Sequence, residues 1–286
     1  SLKLDLPVNR SEAVETVATS GVVRGEAQQE GLKVPGGVVP GSARLKTTVS
    51  GSALSGVEAA VNWLMDYPYG CLEQRLSRLV PLLLDGDLVK AFGNPELDAK
   101  ALRTRVQEEL DALASFQVES GGFSLWPKGT RVHDYLTAYA VRTLLEARDR
   151  GFRVDRAILD RARASMKQAL HKTDHEYPYS DREKATLRAF LLETLTRLDY
   201  RDSAALSSLF KNRQDLSVEG KVHLMRAAAR LDNPTVVSAL RRELESLARV
   251  EAQTAWFEEG HSQPWLYGST IRTTGSVLEA LLEQGD

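Results

Sequence analysis

GGFSLWPKGTRVHDYLTAYAVRTLLEARDRG, residues 121–151, sets an aromatic turn, a short polar gap and then a threonine-led apolar helix. The plan returns at residues 254–286 as TAWFEEGHSQPWLYGSTIRTTGSVLEALLEQGD. Trp126 is answered by Trp256, and Thr137, Val141 and Leu145 by Thr273, Val277 and Leu281. A weaker third copy is EYPYSDREKATLRAFLLETL, residues 176–195. Helix pairs repeated in this way bury a core only by stacking on one another, as an open solenoid or a closed ring. A ring of paired helices fits the count best.

Working outward, the helical period holds from about Ser52 to the end. A serine-capped segment runs up to Pro68, and Leu72, Leu76, Leu79 and Val80 then form one apolar stripe. Helices are expected over Pro95 to Phe116, Leu136 to Arg150, Arg156 to His171, Asp181 to Leu198, Ser203 to Phe210, Val218 to Leu231, Pro234 to Val250 and Thr270 to Gln284. The first fifty residues differ. They are rich in Val, Thr, Gly and Ser, and Leu45, Thr47 and Val49 alternate with polar neighbours as a half-buried strand does. The chain therefore reads as mainly α, with a short N-terminal β segment over 1–50 and a helical domain over 51–286.

Composition narrows the function. The chain has 286 residues, 42% of them hydrophobic and 27% charged, a globular balance. Its 37 basic and 39 acidic residues are mixed and leave a net charge of −2, which argues against a dedicated nucleic-acid surface. One cysteine excludes an internal disulfide and a cysteine-rich zinc site. The longest apolar run, around LVPLLL, is too short to span a membrane, and the first ten residues lack the apolar core of a signal peptide. No phosphate-binding glycine loop or clustered metal ligands appear, so no cofactor or metal is expected.

The lone Cys71 lies in YPYGCLEQ, residues 67–74, three positions before Gln74. Residues i and i+3 of a helical turn share a face. A Cys71 thiolate attacking the Gln74 side-chain carbonyl and expelling ammonia would close an internal thioester, an activated acyl group. A helix N-terminus favours the thiolate. Gly70 permits a tight entry, Pro68 fixes the approach, and Tyr67 and Tyr69 offer an apolar wall against water. By spacing alone, a buried small hydrophobe beside a solvated glutamine serves as well. Glu73 reads as a solvated residue on another face.

The surrounding letters resemble the thioester signature of the alpha-2-macroglobulin and complement superfamily, above all its bacterial members. The likeness is contiguous from Tyr67 to Gln74 and continues, in order, through GGFSLWP (121–127), YLTAYAVRTLLEA (135–147) and STIRTTGSVLEALL (269–282). It implies an alpha/alpha toroid, inserted in a CUB-like β domain whose first half would be residues 1–50. It also implies that the toroid is cut short of its last helix pair and that the chain is a piece of a longer protein. The implied activity is a single-use protease trap rather than an enzyme. After a bait region elsewhere in the protein is cut, Gln74 supplies the acyl carbon to a protease lysine and Cys71 is the leaving sulfur. Trp126 and Tyr139 join Tyr67, Pro68, Tyr69 and Gly70 as candidate surroundings of the bond, with toroid core the other role for the aromatics. Implied partners are proteases, the other domains of the same chain and a periplasmic cell-wall enzyme. The implied location is the periplasm, with the parent tethered as an inner-membrane lipoprotein. In complement members a histidine relays the acyl group to hydroxyls, and its position here falls near YSDREKATLRAF, which has no histidine. His133, His171, His175, His223 and His261 lie elsewhere, so direct aminolysis by lysine is expected. The alternatives are a toroid enzyme acting on prenyl, terpene or glycan substrates, and an inert helical interaction module.

Overall fold

The computed structural model describes scattered positions between 15 and 49, and then residues 70–83, 99–251 and 254–285. The chain divides into two units, Ser1–Ser55 and Gly56–Asp286. Among the described residues of the first there is a turn closed by Ser42 on the Val39 carbonyl, and no strand. Leu45 is 77% exposed and Val49 90%, so the half-buried strand expected there does not form among these residues. An isolated strand has no ladder to hold it. The helix expected before Pro68, and the start of the one expected from Pro95, lie outside the described residues.

The second unit is helical. In chain order its described α-helices are α1 (Leu72–Leu82), α2 (Ala99–Ala112), α3 (Asp134–Asp149), α4 (Arg156–His171), α5 (Asp181–Thr196), α6 (Ser203–Lys211), α7 (Val218–Arg230), α8 (Pro234–Ser246) and α9 (Thr270–Glu283). Alternate helices pack in sequence, α1 on α3, α3 on α5, α5 on α7 and α7 on α9. The helices between them lie outside, α2 on α1, α4 on α3 and α5, α6 on α5 and α7, and α8 on α7. This two-layered arc of helix pairs is the toroid architecture read from the repeats.

Burial follows the layers. The outer α8 buries Val236, Leu240 and Leu244, one stripe at helical spacing. The inner α5 buries Leu187, Ala189, Phe190, Leu191, Leu192 and Leu195, nearly all round. On α1 the buried stripe is Leu72, Leu76, Leu79 and Leu82, while Val80 is 41% exposed. Eight residues past Leu72, Val80 has swung past the edge of the stripe.

The repeated aromatic turns have a common hydrogen bond. The Phe123 N–H donates to Thr137 Oγ1 at 2.8 Å, and the Phe257 N–H to Thr274 Oγ1 at 3.0 Å. The echo thus has two registers. Burial pairs Thr137 with Thr273, whereas turn bonding pairs it with Thr274, because the second loop is longer. Gly121, at φ +91°, has the Arg161 carbonyl oxygen 2.3 Å from where a Cβ would stand, so only glycine lets this turn lie on α4. Tyr177 and Tyr179 precede α5 in the third copy. The end expected of the α8 helix is instead a short antiparallel ladder, Arg249–Glu251 (β1) on Thr254–Trp256 (β2). Arg226 of α7 reaches Glu279 and Glu283 of α9, and Arg272 of α9 reaches Glu219 of α7.

Candidate functional site

Five inner helices begin with a capping residue: Cys71, His133, Ser180, Ser217 and Ser269. At α1 the cap is a reciprocal box. The Gln74 side-chain oxygen accepts the Cys71 N–H at 3.3 Å, and the Cys71 sulfur faces the backbone N–H groups of Glu73 and Gln74. This is the geometry of the Ser-x-x-Glu capping box, with a thiol and a carboxamide in place of hydroxyl and carboxylate. It explains why the two side chains meet: each reaches for an orphan N–H on the other's residue. The first turn is fixed from outside, since the Leu72 N–H donates to the Leu125 carbonyl at 2.9 Å. Arg75 and Arg78 both pair with Glu109 of α2, at 2.8 and 2.9 Å.

Cys71 is buried, and its thiol is pushed up from its ordinary pKa. Burial is the largest cause and the Glu73 charge adds to it, against the lowering by the Gln74 and Glu73 N–H groups. Burial therefore outweighs the helix terminus, and the expectation of a favoured thiolate is corrected.

Of the proposed surroundings, Tyr67, Pro68 and Tyr69 lie outside the described residues. Gly70 has no left-handed φ, and a Cβ there would meet only the Arg75 guanidinium at 3.6 Å, so the close turn invoked for it is not forced. Trp126 is 55% exposed, next to the Leu125 carbonyl that holds α1. Phe123 and Tyr135 are core. Half-buried Tyr139 has its hydroxyl 3.5 Å from Ser77 Oγ, which in turn donates to Glu73 Oε1 at 2.7 Å.

One aromatic packed on this group escaped the sequence reading. Tyr267, before α9, has a left-handed φ of 53° and packs on Tyr135 and His133. Burial, with the Glu73 and Cys71 charges adding to it, pushes its phenol up to about 12. Its signal was the Tyr-Gly pair ending the second repeat's loop. Glu73, read as solvated, is partly buried, and its charge helps raise the Cys71 thiol.

The histidines have other partners. His133 caps α3, His171 pairs with Asp202 at 3.3 Å, and His175 Nδ1 meets Asp134 at 2.8 Å. His223 lies between Glu193 and Glu219, and His261 is exposed. Burial alone would raise the Glu193 carboxyl, but the His223 charge and hydrogen bond hold it at about 2. Among the described residues, no histidine bonds Cys71 or Gln74, and no group of acidic, His or Cys side chains is placed to hold a metal.

Residues 44–175 match the A-macroglobulin TED domain family. The fold and this match define the class, a helical thioester domain of the macroglobulin type. Within it the chain is similar to bacterial alpha-2-macroglobulins. It is 28% identical over 256 residues to the alpha-2-macroglobulin of Xylella fastidiosa (strain Temecula1 / ATCC 700964), covering 87% of this chain and 15% of that protein. Native Escherichia coli alpha-2-macroglobulin, in a crystal structure from domain MG7 to the C-terminus, superposes with a TM-score of 0.70 at 25% identity, over 80% of this chain and 36% of that one. The same E. coli protein activated by porcine elastase gives 0.64 at 25% identity, over 76% and 19%. The chain thus spans about a seventh of the length of the full-length relative it matches.

Proposed function

We propose that Cys71 and Gln74 form an internal thioester that acylates lysine amines of an attacking protease once a bait region elsewhere in a longer protein has been cut. The observation that carries this reading is the α1 capping box, which sets the cysteine sulfur and the glutamine carboxamide against each other across one helical turn. Ring closure joins Sγ to Cδ and releases ammonia, and aminolysis exchanges the C–S bond for C–N and returns the thiol. The bond is used once, as an inhibitor uses it, and a non-enzymatic role fits the family. An E. coli relative described as activated by elastase supports the link to proteases.

The same reading makes residues 1–50 half of a CUB-like domain. The whole protein is periplasmic, held as an inner-membrane lipoprotein, and meets proteases and a cell-wall enzyme there. The test is intact mass with thiol titration on the full-length protein, before and after methylamine. A mass short by one ammonia, no free thiol, and one thiol released as methylamine adds is the expected result. Full mass with a free thiol in fresh protein overturns it.

A further inference from the structure

A thioester carbonyl oxygen has to take up negative charge when an amine adds to its carbon. In the α1 box that oxygen is Gln74 Oε1, which accepts the Cys71 N–H at 3.3 Å. A backbone N–H already aimed at this oxygen is the donor that developing charge requires. A peptide that follows glycine can rock, so its N–H needs an anchor on the far side.

Arg75 sits on that far side. Its Nε donates to the Gly70 carbonyl at 3.4 Å. The Gly70 C=O and the Cys71 N–H belong to one planar peptide unit, so holding the oxygen end fixes the direction of the hydrogen end. A charged donor on the carbonyl also polarises the unit and strengthens its N–H as a donor. Both bonds to the unit are long, as bonds in a resting site often are, and they tighten as the acyl oxygen charges. The guanidinium is itself held. Nη1 bonds Glu109 Oε2 of α2 at 2.8 Å, and the group lies over the Phe116 ring, 5.7 Å from its centre. A cation near a helix N-terminus opposes the helix dipole, and Glu109 offsets that cost. A local rule broken and compensated in this way is expected at a functional position. In the α5 box the equivalent residue, Lys184, turns instead to the exposed Asp181 at 3.5 Å.

Resting on the thioester reading, we propose that Arg75 is a positioning residue for acyl transfer, aiming the Cys71 N–H at the acyl oxygen through the Gly70–Cys71 peptide. The attacking group is a free amine, its ammonium proton already lost to solvent. Its nitrogen pair attacks Gln74 Cδ, and the carbonyl π pair moves to Oε1, where the Cys71 N–H steadies it. The pair returns, and the Cδ–Sγ bond breaks with its electrons on sulfur. One of the two protons on nitrogen passes through solvent to Sγ. The products are an amide at residue 74 and a Cys71 thiol, and no other reactant is consumed.

The test uses full-length protein with Arg75→Met, Arg75→Lys and Arg78→Met. Methionine keeps an unbranched stem over Phe116 and removes the donor. Arg78 pairs with the same Glu109 oxygen at 2.9 Å, so its variant removes a matching ion pair and leaves Arg75 in place. In Arg75→Met the ammonia-short mass is expected to remain, while the methylamine rate falls ~10-fold, less than the loss of a whole oxyanion donor. The thioester C=O stretch, read by infrared difference before and after methylamine, should move to higher wavenumber as its hydrogen bond weakens. A merely structural role would leave that band in place. Arg75→Lys should recover part of both effects. Arg78→Met should leave the band unmoved and change the rate by no more than about two-fold, the scale of one ion pair. An unchanged rate and band in Arg75→Met overturns the assignment. An equal loss of rate in Arg78→Met, with the band unmoved in both, does so too, because the Glu109 pair alone would then explain it. A missing thioester in Arg75→Met also overturns it and moves Arg75 to ring closure. A wild-type protein without the ammonia-short mass defeats the thioester reading itself, and this one with it.

Discussion

Helices α1 and α5 start in nearly the same way. Cys71 caps the first at φ −66°, ψ 161°, and Ser180 the second at φ −62°, ψ 163°. Each closes a box with the residue three on: Cys71 N–H to Gln74 at 3.3 Å, and Ser180 N–H to Glu183 at 2.9 Å. Geometry does not separate them; chemistry does. A carboxylate beside a hydroxyl is neither an electrophile nor a partner for a strong nucleophile. A neutral carboxamide beside a thiol is an acyl donor with a leaving group, ammonia. The toroid thus presents one backbone device repeatedly, and residue type decides which copy can react.

The largest effect should come from converting one box into the other. Cys71→Ser keeps a side-chain acceptor, and serine is a better cap than a thiol, so folding stability should hold or rise by a few tenths of a kcal/mol. Methylamine uptake and the ammonia-short mass should vanish entirely. Mass spectrometry beside urea unfolding measures both. A variant that still takes up methylamine would place the acyl donor elsewhere.

The same comparison explains how far the letters could be read. The helix pairs were legible because an aromatic turn followed by a threonine-led apolar helix recurs along the chain, and the layers then differ in burial, one stripe on α8 and almost every face on α5. Cys71 and Gln74 were legible through residue type and neighbours, since their spacing is common to every capping box. What stayed hidden depends on contacts between distant elements. Tyr267 packs on His133 and Tyr135 from a distant part of the chain, and no local pattern encodes that. The ladder at β1 and β2 was missed because it replaces what reads as a continuing helix.

A third cap, His133 at α3, offers the next test. It is 1% exposed, and its imidazole is pushed down to about 4, chiefly by burial, with Arg131 adding to that against the pull of Asp134. Its ring nitrogen accepts the Leu136 N–H at 3.5 Å and contacts the Tyr179 hydroxyl at 3.1 Å. The folded state therefore binds this proton less tightly than the unfolded chain, where the ordinary value is 6.5. The stability from the neutral ring is whole above pH 6.5 and is lost as pH falls towards 4, a swing of roughly 3 kcal/mol. Glu193, held at about 2, loses its contribution lower down, between 4.5 and 2. His133→Asn keeps a capping acceptor that does not titrate. Between pH 7 and 4.5 the wild type should lose roughly 2 kcal/mol more than this variant in urea unfolding. Parallel losses in the two proteins would break the assignment.

The smallest effect belongs to the unreactive box and sharpens the contrast most. Ser180→Ala removes the hydroxyl that accepts the Glu183 N–H at 3.3 Å and donates to its carboxylate at 2.9 Å. Glu183 is 3% exposed but keeps the N–H of residue 180 and that of Trp265, at 3.1 Å, so it is not left bare. The cost should be that of one cap, about 1 kcal/mol, with methylamine uptake at residue 74 unchanged. Cys71→Ala should show the inverse pattern, a smaller loss of stability because sulfur is a weak acceptor, and complete loss of uptake. If Ser180→Ala also abolished uptake, the two boxes would be coupled through Glu183, Trp265 and the loop that carries Tyr267. The reactive site would then extend across the inner ring instead of ending at the first turn of α1.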